Sequence, residues 1–220
     1  MCGRFALAAD KKIIEMLYDL EIRGDLAPRY NIAPSQKIPT LRLAPDSGQK
    51  ELVSLKWGLI PFWADRENIG SGLINARAET APDKPSFRNA FKKRRLLIPA
   101  TGFFEWKVEG GGKQPYYVCR KDGRPFSMAG LWECWEKGES PLETCTILTT
   151  EPNSLVKSLH KRMPVIIPRE VYDKWLDPAT DKAALLKMLR PFPAKELIAY
   201  PVSRKVNNPA QDIPELVEPC

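Results

Sequence analysis

Histidine occurs once in these 220 residues, at His160, so any mechanism that needs two imidazoles is excluded at the outset. Cysteine is present without pattern: Cys2, Cys119, Cys134, Cys145 and Cys220 are an odd number and contain no CxxC pair. That argues against a disulfide scaffold and a zinc ribbon, and for a reducing, cytoplasmic compartment. No cofactor is expected, organic or metallic, because one histidine and scattered cysteines offer no ligand spacing. No stretch is apolar enough for long enough to cross a bilayer, and the N-terminus lacks the apolar segment of a signal peptide. No linker-like shift in composition appears either, which leaves one domain over 1–220. Charge is lopsided instead. With 34 Lys and Arg against 27 Asp and Glu, the net +7 favours a polyanionic partner.

What is present reads as short strands between turns. Asp10 is placed to cap a helix carrying Ile13, Ile14, Leu17 and Leu20, with Gly24 as its end. Leu41 to Leu43 and Val53, Leu55, Trp57 alternate across the turn Pro45-Asp46-Ser47-Gly48. Leu96 to Pro99 and Phe103 to Val108 continue the strand series, the latter turning at Gly110-Gly111-Gly112 into Pro115 to Arg120. Asp122-Gly123 is a hairpin signal before Phe126 to Trp132, and Thr144 to Thr150 is a further strand. Pro152 suits the first turn of a helix running towards His160. Helices around Arg169 to Trp175 and Asp181 to Leu189 precede a strand at Leu197 to Val202. The pattern predicts an α+β protein: one compact domain of antiparallel or mixed sheet, curled towards a barrel, with helices at its edges.

The first five residues, Met1-Cys2-Gly3-Arg4-Phe5, offer unusual chemistry. Cysteine is small enough that removal of Met1 is expected, which leaves Cys2 with a free α-amine beside its own thiol. The two groups titrate near ~8 and ~8.5, so both are reactive around neutral pH. An aldehyde taken by the amine as a Schiff base lies within reach of the thiol, and closure gives a five-membered thiazolidine. On position alone, Cys2 on a frayed terminus is the plainer reading.

Other polar residues interrupt apolar runs. Glu105 stands between Phe104 and Trp106, where partial dehydration suits a carboxyl to proton transfer, although strand alternation also allows it to face water. His160 is either a general acid–base group or a helix-end cation. Asn75 orients a carbonyl or hydroxyl, or caps a turn. Arg4, Arg77 and Arg162 suit phosphates or an ordinary solvated surface. Phe62 and Trp63 suit base stacking or a core.

Taken in order, these segments resemble a known family. Met1-Cys2-Gly3-Arg4-Phe5 is similar to the start of SOS-response-associated peptidase (SRAP) proteins, which crosslink abasic sites in single-stranded DNA. The resemblance continues through Arg29-Tyr30-Asn31-Ile32-Ala33-Pro34, Trp57-Gly58-Leu59-Ile60-Pro61 and Asn75-Ala76-Arg77-Ala78-Glu79-Thr80. It runs on through Gly102-Phe103-Phe104-Glu105-Trp106 and His160-Lys161-Arg162-Met163-Pro164, and so covers nearly the whole chain. It implies strands around a cleft with Cys2 at the base, and a thiazolidine formed with the ring-opened deoxyribose. Residue by residue, it implies Cys2 as nucleophile, Glu105 as proton shuttle, His160 as promoter of ring opening, and Asn75 as the group that positions sugar and amine. Arg4, Arg77 and Arg162 would hold phosphates flanking the lesion, with Phe62 and Trp63 against neighbouring bases. Thr101, Leu96 and Gln211-Asp212-Ile213 depart from the family pattern, away from those four catalytic positions.

The expected function is therefore capture of abasic sites in single-stranded DNA by a protein expected to be a monomer. The alternative is a cysteine peptidase, autoproteolytic or acting on peptides, with Cys2 attacking a carbonyl and His160 as base. A third reading is a single-stranded-DNA binding module in which Cys2 is incidental. Basic charge with aromatics fits nucleic acid better than a peptide groove.

Overall fold

Alternating apolar runs between turns find partners on both edges, and the connections decide how they close. The computed structural model describes residues 2–220. The chain begins with β1 (Phe5–Leu7), α1 (Lys11–Tyr18), β2 (Arg29–Ile32), β3 (Lys37–Leu43) and β4 (Lys50–Trp57). It continues with β5 (Asn75–Arg77), α2 (Arg88–Lys93), β6 (Arg95–Ala100), β7 (Gly102–Glu109) and β8 (Gly112–Arg120). Then come β9 (Phe126–Trp135), β10 (Leu142–Thr150), β11 (Met163–Pro164) and β12 (Ile166–Ile167). Last are α3 (Tyr172–Leu176), α4 (Lys182–Met188) and β13 (Leu197–Pro201).

Five strands close on themselves. β10 pairs β4 in parallel, β4 pairs β3, β3 pairs β6, β6 pairs β9, and β9 returns to β10, these last four antiparallel. Closure removes sheet edges and encloses an apolar interior to which Ile38, Leu55, Ile98, Met128 and Ile147, which the register places on one face, contribute. The expected barrel is present, in a single α+β domain. A second, antiparallel sheet runs in the order β13-β8-β7-β1-β2. β1 therefore lies inside a sheet, paired on both edges, rather than fraying at a terminus.

Local reasons fix several junctions. Gly58 has φ +133°, and a Cβ there would stand 2.8 Å from the Gly70 carbonyl oxygen, so the loop after β4 packs backbone against backbone. A Cβ on Gly102 would meet the Tyr117 ring at 2.3 Å, which holds that ring against the sheet that carries the N-terminus. Arg95, the last of the four consecutive basic residues Lys92-Lys93-Arg94-Arg95, is buried. Its guanidinium donates to the carbonyls of Trp175, Phe91, Lys92 and Asp177, and burial pushes it down to about 10.

Some local expectations are corrected. α1 ends at Asp19, which takes φ 53°, five residues before Gly24, and the Asp10 side chain makes no capping bond. Asp122-Gly123 does form a turn, yet β8 and β9 belong to different sheets, so no hairpin joins them. After Pro152 only a 3-10 turn, Val156–Ser158, is formed, with the Val156 amide donating to Asn153 Oδ1. Among the described residues no helix is long and apolar enough to cross a membrane, and no cluster of His, Cys, Asp and Glu could hold a metal ion.

Candidate active site

The register of β1 on β7 sets the geometry. Phe5 pairs with Phe103 and Ala6 with Gly102, and the Phe104 amide donates to the Arg4 carbonyl at 2.9 Å. Continuing that antiparallel step brings the start of the chain alongside Glu105. Cys2 is fully buried there, and Glu105 is 3% exposed. Burial pushes the Glu105 carboxyl up to about 7, and it also lifts the Cys2 thiol well above its usual range, with the Glu105 charge adding to the effect. The carboxyl that alternation allowed to face water is a core residue.

β10 delivers the other groups. On one edge it pairs in parallel with β5, Ile147 against Asn75 and Thr149 against Arg77. On the same end it pairs with β11, which follows His160 and Arg162 directly. Asn75 Nδ2 donates to the Cys2 carbonyl at 2.8 Å, fixing the cysteine backbone. Asn75 Oδ1 is buried with no hydrogen-bond partner among the described residues. His160 Nδ1 stands 3.9 Å from Glu105 Oε1 and 3.1 Å from both the amide and the carbonyl of Arg162. Neutral, that nitrogen accepts from the amide; protonated, it donates to the carbonyl. Burial lowers the His160 pKa, so the histidine and the carboxyl are both biased towards neutrality rather than a fixed ion pair. Glu105, His160, Trp106, Lys113 and Asn207 line a cavity of about 420 Å³.

The expected DNA-contacting residues divide. Arg77 is exposed, and Phe62 and Trp63 are 46% and 42% exposed on the loop after β4, so neither aromatic belongs to the core. Arg162 is held by Glu79 through two hydrogen bonds of 2.7 and 2.8 Å, and by the Thr149 carbonyl. Arg4 is held as well: its Nη1 donates to Asn31 Oδ1 at 2.7 Å and to the Val206 carbonyl at 2.6 Å, and its guanidinium lies 5.9 Å from the Trp106 ring that lines the cavity. Asn31 in turn donates to the carbonyls of Asn208 and Gln211, and Trp106 Nε1 donates to Asn207. Lys113 was not singled out by sequence reasoning. Lys113 follows a glycine turn and resembles any surface lysine; only the β7–β8 hairpin brings it to the cavity.

The departures from the family pattern are built in. Thr101 Oγ1 accepts from the Ala8 amide and bonds the Tyr117 hydroxyl, and Asp212 accepts from the Tyr30 and Asn31 amides.

A mixed barrel flanked by a sheet that buries a near-terminal thiol beside a carboxyl defines a class of thiol-bearing barrel proteins. Residues 1–209 match the family model "SOS response associated peptidase (SRAP)", and the chain belongs to that family. It is 44% identical over 224 residues to the abasic site processing protein YoqW of Bacillus subtilis (strain 168), covering 99% of each chain. It is 32% identical over 228 residues to the abasic site processing protein YedK of Escherichia coli (strain K12), covering both in full. Against the abasic site processing protein HMCES of Gallus gallus the identity is 33%, over 89% of this chain and 67% of that protein. A crystal structure of a Bacteroides thetaiotaomicron protein superimposes with a TM-score of 0.88 at 32% identity, covering both chains in full.

Proposed function

We propose that this protein processes abasic sites by capturing them covalently at Cys2, in single-stranded DNA. Abasic-site processing is supported by the names its relatives carry. The single observation that carries the finer chemistry is the placement of Cys2. Its carbonyl is fixed by Asn75, and its thiol is buried beside a carboxyl that titrates near neutrality.

The sequence of steps is then simple. With Met1 removed, the Cys2 amine adds to the aldehyde carbon of the ring-opened deoxyribose, and loss of water gives a Schiff base. The Cys2 sulfur adds to that carbon, the S–H proton passes to the ring nitrogen by way of Glu105, and a thiazolidine results. Aldehyde plus aminothiol gives thiazolidine plus one water. Asn75 Oδ1 is placed to accept from the amine or a sugar hydroxyl, and His160 to relay protons with Glu105. Arg77 and Arg162 supply phosphate contacts, and exposed Phe62 and Trp63 supply stacking surfaces for unpaired bases. Removal of Met1 concerns a residue outside those described.

The peptidase reading ranks second. Attack on an amide needs a thiolate, and burial holds the Cys2 sulfur as the thiol. An iminium is a far stronger electrophile, and closure on it is intramolecular. Incubation with abasic single-stranded DNA, followed by a denaturing gel and intact mass, tests the proposal. An adduct of DNA plus protein less one water is expected from the parent and none from Cys2→Ala, whose amine still yields a borohydride-trappable Schiff base. A full-yield stable adduct from Cys2→Ala, or from protein that retains Met1, overturns it.

A further inference from the structure

The larger cavities lie away from the cleft. One of about 650 Å³ runs between α1 and the β12 region, and one of about 680 Å³ between β12 and α4. Both are lined by Ile166, Pro168, Phe192 and Pro193, so together they form one continuous groove. Its position is fixed by β8. Lys113 at one end of that strand lines the cleft, and Arg120 at the other lines the groove, seven residues apart or about 23 Å. Both can be occupied at once.

Its chemistry is two-toned. The floor is aliphatic, and Met16 and Ile13 on the α1 side are 64% and 37% exposed. The rim is mostly cationic: Arg124, Arg169, Lys174, Lys187 and Arg190 are exposed, and none forms an ion pair among the described residues. Of the lining acids, Glu196 faces Arg120 at 3.8 Å and Asp181 caps α4, which leaves Glu170. Nucleic acid would need accessible rings to stack bases, but Phe192 and Tyr172 are 6% exposed. A helical or extended peptide needs what is present: apolar wells for alternate side chains between cations for its acids.

We infer that this groove docks an acidic segment of a partner protein, one whose carboxylates alternate with aliphatic or aromatic anchors. The surface stands apart from the lesion site, so it serves recruitment rather than chemistry. Salt weakens such binding, since rim charges are screened.

Fluorescence polarisation with three labelled pools of ten-residue peptides tests this. The first pool alternates Asp or Glu with Leu, Ile or Phe; the second replaces the acids by Lys; the third replaces the apolar residues by Ser. A labelled ten-nucleotide oligothymidylate is the fourth arm. Saturable binding is expected of the first pool and not of the second or third, and any oligothymidylate binding, which the cleft supplies, should be unchanged in the groove variants. Met16→Asp, on an exposed position, and the double variant Arg124→Glu/Arg190→Glu should each weaken it by about tenfold or more, while crosslinking to abasic DNA keeps the parent rate. Equal retention of the first and third pools overturns the proposal. So does oligothymidylate binding that the rim variants abolish while the first pool fails to bind, which would assign the groove to nucleic acid. The Proposed function fails or stands separately, on the crosslinking rate.

Discussion

Replacing Glu105 by Gln should move stability and activity in opposite directions. Glu105 is 3% exposed and titrates near 7, against the ordinary 4.5. Its folded pKa lies above its unfolded one, so its contribution to stability is fully present below about 4.5 and is lost as pH rises through about 7. The size follows from that gap of two to three units, roughly 3 kcal/mol in favour of the uncharged form. Gln keeps the shape and has no charge to bury. At pH 8.5 the variant should therefore melt higher than the parent, by roughly 6 to 12 °C for a chain of this length, and near pH 5 the gap should close. Single-turnover crosslinking should meanwhile fall by about 10² to 10⁴. The ratio of parent to variant rate should be greatest near neutrality, where acid and base forms of Glu105 coexist. Thermal melts across pH and quenched crosslinking on denaturing gels give the two numbers. Parent-like melting at pH 8.5 would refute the buried-carboxyl geometry; a parent-like rate would remove Glu105 from the chemistry.

The other predictions are shorter. Arg77→Ala should reduce the log–log salt slope of single-stranded DNA binding by about 0.7, whereas Arg4→Ala should reduce it by less, because that guanidinium is held by Asn31 and Val206; equal slope changes in a titration would return Arg4 to the phosphates. Glu79→Gln should release Arg162 and raise DNA affinity at low salt, checked by the same titration, and weaker binding would count against Arg162 as a contact. With Ellman's reagent on native protein, exposed Cys220 should react quickly and buried Cys2 and Cys145 only after unfolding; peptide mapping that finds Cys2 modified first would contradict its raised pKa.

The strands were legible because period-two runs and glycine turns are local signals: β4, β6 and β10 fall where those signals put them, while β3 starts at Lys37, four residues before the expected Leu41. Which strands close the barrel was not legible, since the parallel step from Lys56 to Thr144 joins residues far apart in the chain. Asp122-Gly123 misled for the same reason: turn chemistry says that the chain bends, not which sheet receives it. Glu105 is the sharpest case. Alternation offered one wet face, but Phe103 packs in the main apolar cluster and Phe104 in a second cluster with Val202, Val206 and Leu216, so β7 is covered on both sides. The acceptors of Arg4, at Asn31 and Val206, announce themselves only in three dimensions. The cleft residues were recoverable as types; their pairings depended on the fold.

The bond from Arg4 to the Val206 carbonyl spans 202 positions. Translation delivers those two ends at opposite times. A nascent chain exposes Cys2 to the cell early, yet the strand that seats it has only β2 as a near neighbour, and β7 and the 204–212 segment come later. Until they arrive, the thiol lacks its burial, its carboxyl and its backing. Cys2 is thus made early and seated late, since the bond that backs β1 cannot form until the segment around Val206 has been synthesised.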